Sequence, residues 1–409
     1  MKIWFLSVFE NTPLDDNKNT RYNSLVNEAV ARGHKVVFWS STFRHNVKQQ
    51  RFETYHEEKL SDQLKVVFVP AKSYSKNISL GRMVSHYALG KAMVRQFELQ
   101  TDLPEVIVIA FPPISTAYDI VRWAEKKKIP VIVDIIDPWP EVFKIHLKGI
   151  KKMAGNIVLY PLQKKTAYIF KHAHAIAAIS KQYIDWAKTY NSTIENAEFF
   201  YPAVQFEEMK NQLNRAALKV KKDKQVLHVI YAGSLGFSYD IPTILAAAAL
   251  LEVTHGNKIK FTIAGEGPQR HAIEEYLLNH SNLNYLGRLP KEQLMEEYYN
   301  ADVGLTQHIR GATQSVTYKL FDLLACGLPI MNSLESEMKA IILNNQVGFH
   351  NESEDANQLA TNILSCYNDR TLLETMKQNA LALTSREGDS AIVYAKALDY
   401  MEHIAQKTI

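Results

Sequence analysis

The chain is poor in most features that announce a specialised role. Its 2 cysteines in 409 residues, Cys326 and Cys366, are too few for a disulfide framework or a zinc site, and a reducing cytoplasm is the expected compartment. No apolar run reaches the roughly 18 residues needed to span a bilayer. The opening MKIWFLSVFENTP has too short an apolar part for a leader and no small-residue cleavage site, so it reads as a strand. A formal net charge of +4 carries no polybasic signal, and no nucleic-acid partner is expected. There is no G-x-G-x-x-G, which argues against a dinucleotide cofactor. A D-x-D in a plausible loop and a histidine cluster with ligand spacing are also missing, so no metal is expected.

What remains is a soluble globular composition, 46% apolar and 22% charged, in a chain too long for one ordinary core. Apolar runs at Lys2–Val8, Lys35–Ser41, Lys65–Pro70, Val106–Phe111, Val131–Ile136 and Ala175–Ser180 alternate with helical stretches, which predicts a parallel, doubly wound α/β sheet. From Gln205 to Gln225 the sequence turns polar, with Lys219, Lys221, Lys222 and Lys224, and reads as a linker or exposed helix at a domain boundary. Strands then resume at Leu227–Tyr231, Phe261–Ala264, Leu283–Leu289 and Ala301–Leu305.

The most informative stretch is Gly311–Ser333, GATQSVTYKLFDLLACGLPIMNS. A small, polar loop (Thr313, Gln314, Ser315, Thr317) feeds an apolar helix, which Gly327 stops before a short buried strand at Pro329-Ile-Met. A helix start offers free N–H groups and a positive dipole end to phosphate. Asp322, one turn in, is placed to accept two vicinal hydroxyls. Phosphate and sugar hydroxyls together describe a nucleotide-diphosphate sugar, although loop, helix, glycine and strand also occur in any α/β protein. The turn Ala232-Gly233-Ser234-Leu235-Gly236 after the strand at Leu227 is a weaker signal of the same kind.

Two loops at strand ends stand out in the first half, Phe111-Pro112-Pro113 and Asp134-Ile-Ile-Asp137-Pro-Trp139-Pro140. Trp139 between prolines suits a carbohydrate platform and equally a packed turn. Asp137 lies at the strand's mouth and Asp134 within it. Between Phe143 and His172 the chain carries Lys144, Lys148, Lys151, Lys152, Lys164, Lys165 and Lys171 without an acidic residue. Interleaved apolar residues make this either a surface for anionic headgroups or a solvated helix face.

The 311–333 stretch resembles the donor-binding segment of the retaining glycosyltransferases of family 4, which have the GT-B fold. That segment places an acidic residue, seven others and a second acidic residue, then ends its helix in A-x-G-x-P. Here Asp322 holds the second acidic position and Ala325-Cys-Gly327-Leu-Pro329 matches the ending. The likeness extends over about residues 227–350, and more loosely over 1–205. It implies two Rossmann-like domains facing a cleft: an acceptor domain at 1–205, a donor domain at 206–385, and a terminal helix at 386–409 crossing back to the first. It assigns Gly233, Ser234 and Gly236 to the diphosphate or transferred sugar, and Gly287, Arg288 and Leu289 to the nucleobase. Gln314, Ser315, Val316 and Thr317 fall to the sugar and β-phosphate, and Asp322 to the ribose.

Several positions depart from the family pattern. Ser234 and Tyr239 stand where relatives carry cations on the diphosphate, with Arg310 and Lys319 as candidate replacements and Lys319 preferred. Gln314 stands at the first acidic position, and Ile136 where many relatives have a histidine, for which His146 is a possible substitute. The D-I-x-D-x-W-P ending is similar to that of bacterial polysaccharide and lipid-linked oligosaccharide transferases. The implied catalytic set is Asp137, Gln314 and Lys319, acting without metal and with retention. Trp139, Lys148, Lys151, Lys152, Lys164 and Lys165 would face a glycan or polyprenyl-linked acceptor at the inner face of the cell membrane. The alternative is a catalytically weak partner subunit assisting an active transferase.

Overall fold

A computed structural model describes residues 1–15, 20–77, 79–144, 150–223 and 225–408, with side-chain surroundings for all of these except 144, 150–154, 156 and 408. The chain divides into two compact units, Met1–Tyr201 with Val393–Ile409, and Pro202–Ile392.

In the first unit eight strands form one sheet in the order Ala197–Phe199, Ala175–Ala178, Val131–Ile135, Val106–Phe111, Lys2–Leu6, Lys35–Ser41, Leu64–Val69, His56–Lys59. Neighbours are parallel except His56–Lys59, which runs antiparallel to Leu64–Val69. The central strands are apolar on both faces because helices cover both, and Ile3, Trp4, Phe5, Val108 and Val133 are fully buried. Trp4, Trp39, Phe97 and Trp123 pack as one aromatic group, with centroids 4.7–6.0 Å apart. The helix expected from Thr20 to Arg32 spans Arg21–Ala31, and the Thr20 hydroxyl accepts from the Asn23 N–H as its N-cap. The terminal helix, Ser390–Thr408, returns Asp399 and Glu402 to Arg32, at 2.5 and 3.3 Å.

The second unit has six parallel strands in the order Leu283–Gly287, Ile259–Ala264, Leu227–Ala232, Val303–Thr306, Ile330–Asn332, Gly348–His350. Its core joins Leu227, Val229 and Tyr231 to Ile244, Ala248 and Leu251 on the covering helix Ile241–His255. The polar stretch after Gln205 is no free connector. Phe206–Ala217 is a helix that buries Phe206, Met209 and Ala216. Beyond it Lys219 pairs with Glu292 at 2.6 Å and Lys222 with Asp302 at 2.8 Å. Lys219 and Lys221 stay exposed, as their charge suggested, whereas Lys222 is drawn in by the buried Asp302.

Candidate active site

In the second unit successive strands run outward on either side of the pair Leu227–Ala232 and Val303–Thr306. Doubly wound sheets hold ligands at the carboxyl ends of strands flanking such a reversal. Two segments leave from there: the Gly233–Gly236 turn and the stretch from Gln307 that ends in the helix Lys319–Ala325.

Three of the four amides of the glycine turn are already engaged within the protein. Gly233 N–H donates to the Ala264 carbonyl at 2.8 Å, Leu235 N–H to the Glu266 carbonyl at 3.0 Å, and Gly236 N–H to Ser234 Oγ at 3.2 Å. Gln269 Nε2 ties the turn down further by donating to the Gly236 and Tyr239 carbonyls at 2.8 and 2.9 Å. What the turn provides is room. A Cβ on Gly233, whose φ is +143°, would stand 2.6 Å from Lys319 Cε and 2.7 Å from its Nζ. The lysine therefore lies against bare backbone.

Lys319 opens the helix, which has seven residues and no side-chain cap, Tyr318 preceding it in helical conformation. The helix matches the short span expected from Tyr318 to Ala325, and Lys319 is its first side chain. Lys319 Nζ sits 3.9 Å from the centroid of Tyr231 and 4.3 Å from that of Tyr239. It is shut off from solvent and has no hydrogen-bond partner among the described residues. Burial pushes its pKa down to about 7, against the opposing pull of Asp322. Tyr239, which looked like a lost cation in the sequence, is one wall of the cage that holds a cation from elsewhere.

Among the described residues three more buried polar atoms of the stretch leading to this lysine lack partners: His308 Nε2, Gln314 Oε1 and Ser315 Oγ. Buried polar atoms without partners are rare in folded proteins, and a cluster of them marks a place for a ligand. His308 is fully buried and its ring is 5.1 Å from that of Tyr239. Burial first, then Lys319, pushes its pKa down to about 4, so the ring is neutral at pH 7. Its Nδ1 lies 3.2 Å from the Thr306 carbonyl, which can only accept, so Nδ1 carries the proton and Nε2 is left as an acceptor. Among the described residues the N–H groups of Gln314, Ser315, Val316 and Thr317 donate to no protein atom. The segment is anchored from behind instead, Ser336 Oγ donating to the Ser315 carbonyl at 2.6 Å. Asp322 is half-buried on the same helix, and burial pushes its pKa up to about 6 while Lys319 and Lys291 pull it down.

The other residues expected here are more peripheral. Gly287, at φ +61°, accepts from the Gly265 N–H at 2.7 Å; Leu289 is half-buried, and Arg288 and Arg310 are solvent-exposed. An exposed Arg310 leaves Lys319 as the cation built into the site. Sequence reasoning missed Tyr231 and His308. Tyr231 lies far along the chain from the lysine and is brought to it by the sheet, while His308, eleven residues before it, follows the strand Val303–Thr306.

The first unit has its own strand-order reversal, between Lys2–Leu6 and Val106–Phe111, and a cavity of about 270 Å³ opens there, lined by Ser7, Phe9, His45, Arg82, Asp137 and Trp139 among others. Ile136 also lines it. Asp134 lies apart, fully buried in a bidentate pair with Arg21 at 2.8 and 3.0 Å. Asp137 accepts from Trp139 Nε1 at 3.1 Å, and burial pushes its pKa up to about 6. Trp139 is 9% exposed and packs on Phe143, with centroids 4.6 Å apart, a packed turn that still borders the cavity.

The basic stretch becomes the helix Ile150–His172. Lys148 and His146 lie outside the described residues, as do the side chains of Lys151 and Lys152. Lys164 is exposed over the ring of Tyr160, and Lys165 is half-buried, with Nζ 3.2 Å from Ser115 Oγ. No helix among the described residues is long and apolar enough to cross a membrane.

Two doubly wound units with a cation-bearing loop at one strand-order reversal define the GT-B class of fold. Solved structures agree over nearly the whole chain. Sucrose-phosphate synthase from Thermosynechococcus elongatus superposes with a TM-score of 0.75 at 14% identity, covering 98% of each chain. WaaG, a glycosyltransferase involved in lipopolysaccharide biosynthesis, gives 0.67 at 15% identity over 98% of this chain and 99% of its own. HepE of Anabaena, solved in complex with UDP-glucose, gives 0.65 at 12% identity over 98% and 100%. No curated protein matches the chain in sequence. Residues 211–382 match the family described as glycosyl transferases group 1.

Proposed function

We propose that the protein is a retaining glycosyltransferase. It moves a sugar from a nucleotide-diphosphate sugar to a glycan or polyprenyl-linked acceptor in cell-surface polysaccharide synthesis. The observation that carries this reading is the buried Lys319 ammonium, beside four consecutive N–H groups, none of which has a hydrogen-bond partner among the described residues. A diphosphate supplies the missing partners of both. The HepE complex with UDP-glucose and the WaaG role in lipopolysaccharide biosynthesis support a donor and setting of this kind.

In this reading Lys319 and the amides of Ser315, Val316 and Thr317 hold the β-phosphate. Gln314 and the His308 Nε2 acceptor take sugar hydroxyls. Asp322 takes the ribose, and the backbone of Gly287, Arg288 and Leu289 the base. The bond from the anomeric carbon to the β-phosphate oxygen breaks as the acceptor oxygen bonds on the same face, and the departing phosphate takes the acceptor's proton. Preorganised positive charge at the leaving group supplies the largest part of the catalysis. That role falls to Lys319 rather than to a bound metal. Asp137 is assigned to the acceptor, and the protein acts in the cytoplasm, peripheral to the membrane.

Uncharged residues at Gln314, Ser234 and Ile136 favour the second reading, a catalytically weak partner of an active transferase. Titrating UDP-, GDP- and dTDP-sugars while following heat denaturation separates the two. Donor-dependent stabilisation with slow donor hydrolysis supports the enzyme, and the absence of both supports the partner. Asp322→Ala abolishes the stabilisation; its persistence in that variant refutes the site assignment.

A further inference from the structure

A second ligand site lies wholly within the first unit, and two halves of different chemistry meet in it. One half is a cation. Arg82 is 8% exposed, with its guanidinium carbon 4.6 Å from the Trp139 centroid and 4.9 Å from that of Phe9. Its Nη1 donates to the Asn77 carbonyl at 2.7 Å, its Nε has no partner, and no carboxylate among the described residues comes within 4.0 Å. Burial lowers its pKa, and the Tyr74 hydroxyl and the Asp137 carboxyl, the latter beyond ion-pair distance, offset that only in part. A buried charge without a direct ion pair is costly, and an anion from outside lowers that cost.

The other half is apolar. A groove of about 760 Å³ runs between the helices Leu80–Glu98 and Ile150–His172, a volume typical of small-molecule sites. Leu80, Met83, Val84, Val158 and Leu162 line it, and Leu80 and Val158 are 80% and 75% exposed. Contiguous apolar surface of this kind marks a place where something binds. The charged residues on its wall are Arg82 and Lys165, both cations. The groove and the smaller cavity holding Asp137 share Asn77, Arg82 and Trp139, so the cation stands where they meet.

We infer that this groove takes a single amphiphile, a phosphate or diphosphate on a long hydrocarbon chain, with the chain along Val84 and Val158 and the anion on Arg82. The inference rests on the transferase reading, and within it selects the lipid-linked acceptor over a free glycan. The carbohydrate end of such an acceptor then lies in the cavity of Asp137. Lys165 adds a second cation along the wall, 5.5 Å from the Tyr87 ring.

Calorimetric titration of the full chain with decyl phosphate below its micellar concentration, with decanol and with inorganic phosphate tests this. Decyl phosphate binds about tenfold or more tightly than either fragment, the margin expected of a charged hydrogen-bonded pair added to apolar burial. Val158→Asp, at an exposed position that folding tolerates, weakens decyl phosphate and decanol alike. Arg82→Gln brings decyl phosphate down to the level of decanol. Decyl phosphate binding no better than either fragment, or unaffected by Val158→Asp, overturns the inference. So does binding to anionic vesicles that decyl phosphate fails to compete, since that assigns the face to a membrane surface. Nucleotide-sugar titration of the same samples reads the second unit separately. Loss of lipid binding alone sinks only this inference, whereas loss of nucleotide-sugar binding alone sinks the transferase reading.

Discussion

Replacing Lys319 by methionine separates stability from function in opposite directions. Methionine keeps most of the side chain's length and apolar contact with Tyr231 and Tyr239 but removes the buried charge. The lysine pKa falls from 10.5 to about 7 on folding, and each unit corresponds to about 1.36 kcal/mol. The folded state therefore binds fewer protons than the unfolded state between these two values, and stability rises with pH across that window. Integrated over the titration, the charge costs the wild type about 5 kcal/mol at pH 6 and about 2 kcal/mol at pH 9. Urea unfolding of the second unit shows Lys319→Met more stable than wild type at pH 6, with the difference shrinking by about half or more at pH 9. The same variant loses stabilisation by nucleoside diphosphates. A variant no more stable than wild type at pH 6, or one still protected by UDP, refutes the reasoning.

Gly233→Ala attacks the same contact from the other side. The new Cβ meets the lysine stem and sits at an unfavourable φ, costing about 1–3 kcal/mol, and displacement of Lys319 shows as weaker UDP binding by calorimetry. Asp134→Ala breaks a fully buried pair with Arg21 and destabilises the first unit by about 3–5 kcal/mol. Nucleotide-sugar binding by the folded fraction is unchanged, and a loss of it would show that Asp134 acts beyond the scaffold.

The sheet architecture was legible because buried parallel strands write themselves as apolar runs. Lys35–Ser41 and Val106–Phe111 match their predicted bounds, and most other strands fall within a residue or two. Strand His56–Lys59 was not legible, being polar, exposed and antiparallel at a sheet edge. Position also told more than residue type in the candidate site. The segment around Gln314 and Asp322 could be located from its loop-helix-glycine-strand pattern. The cage of Tyr231, Tyr239 and His308 around Lys319 could not, since such contacts leave no period or spacing to read. The same limit applies to Arg82, whose lack of a direct ion pair among the described residues is a property of the fold alone.

The central claim is that a diphosphate restores the charge of Lys319, which can be read as proton uptake. At pH 8.5 the free lysine, with its pKa near 7, is almost wholly neutral, while UDP is fully ionised. Calorimetry of UDP binding in buffers of different ionisation enthalpy then reports close to one proton taken up per UDP by the wild type. Binding by the wild type without proton uptake at that pH contradicts the account.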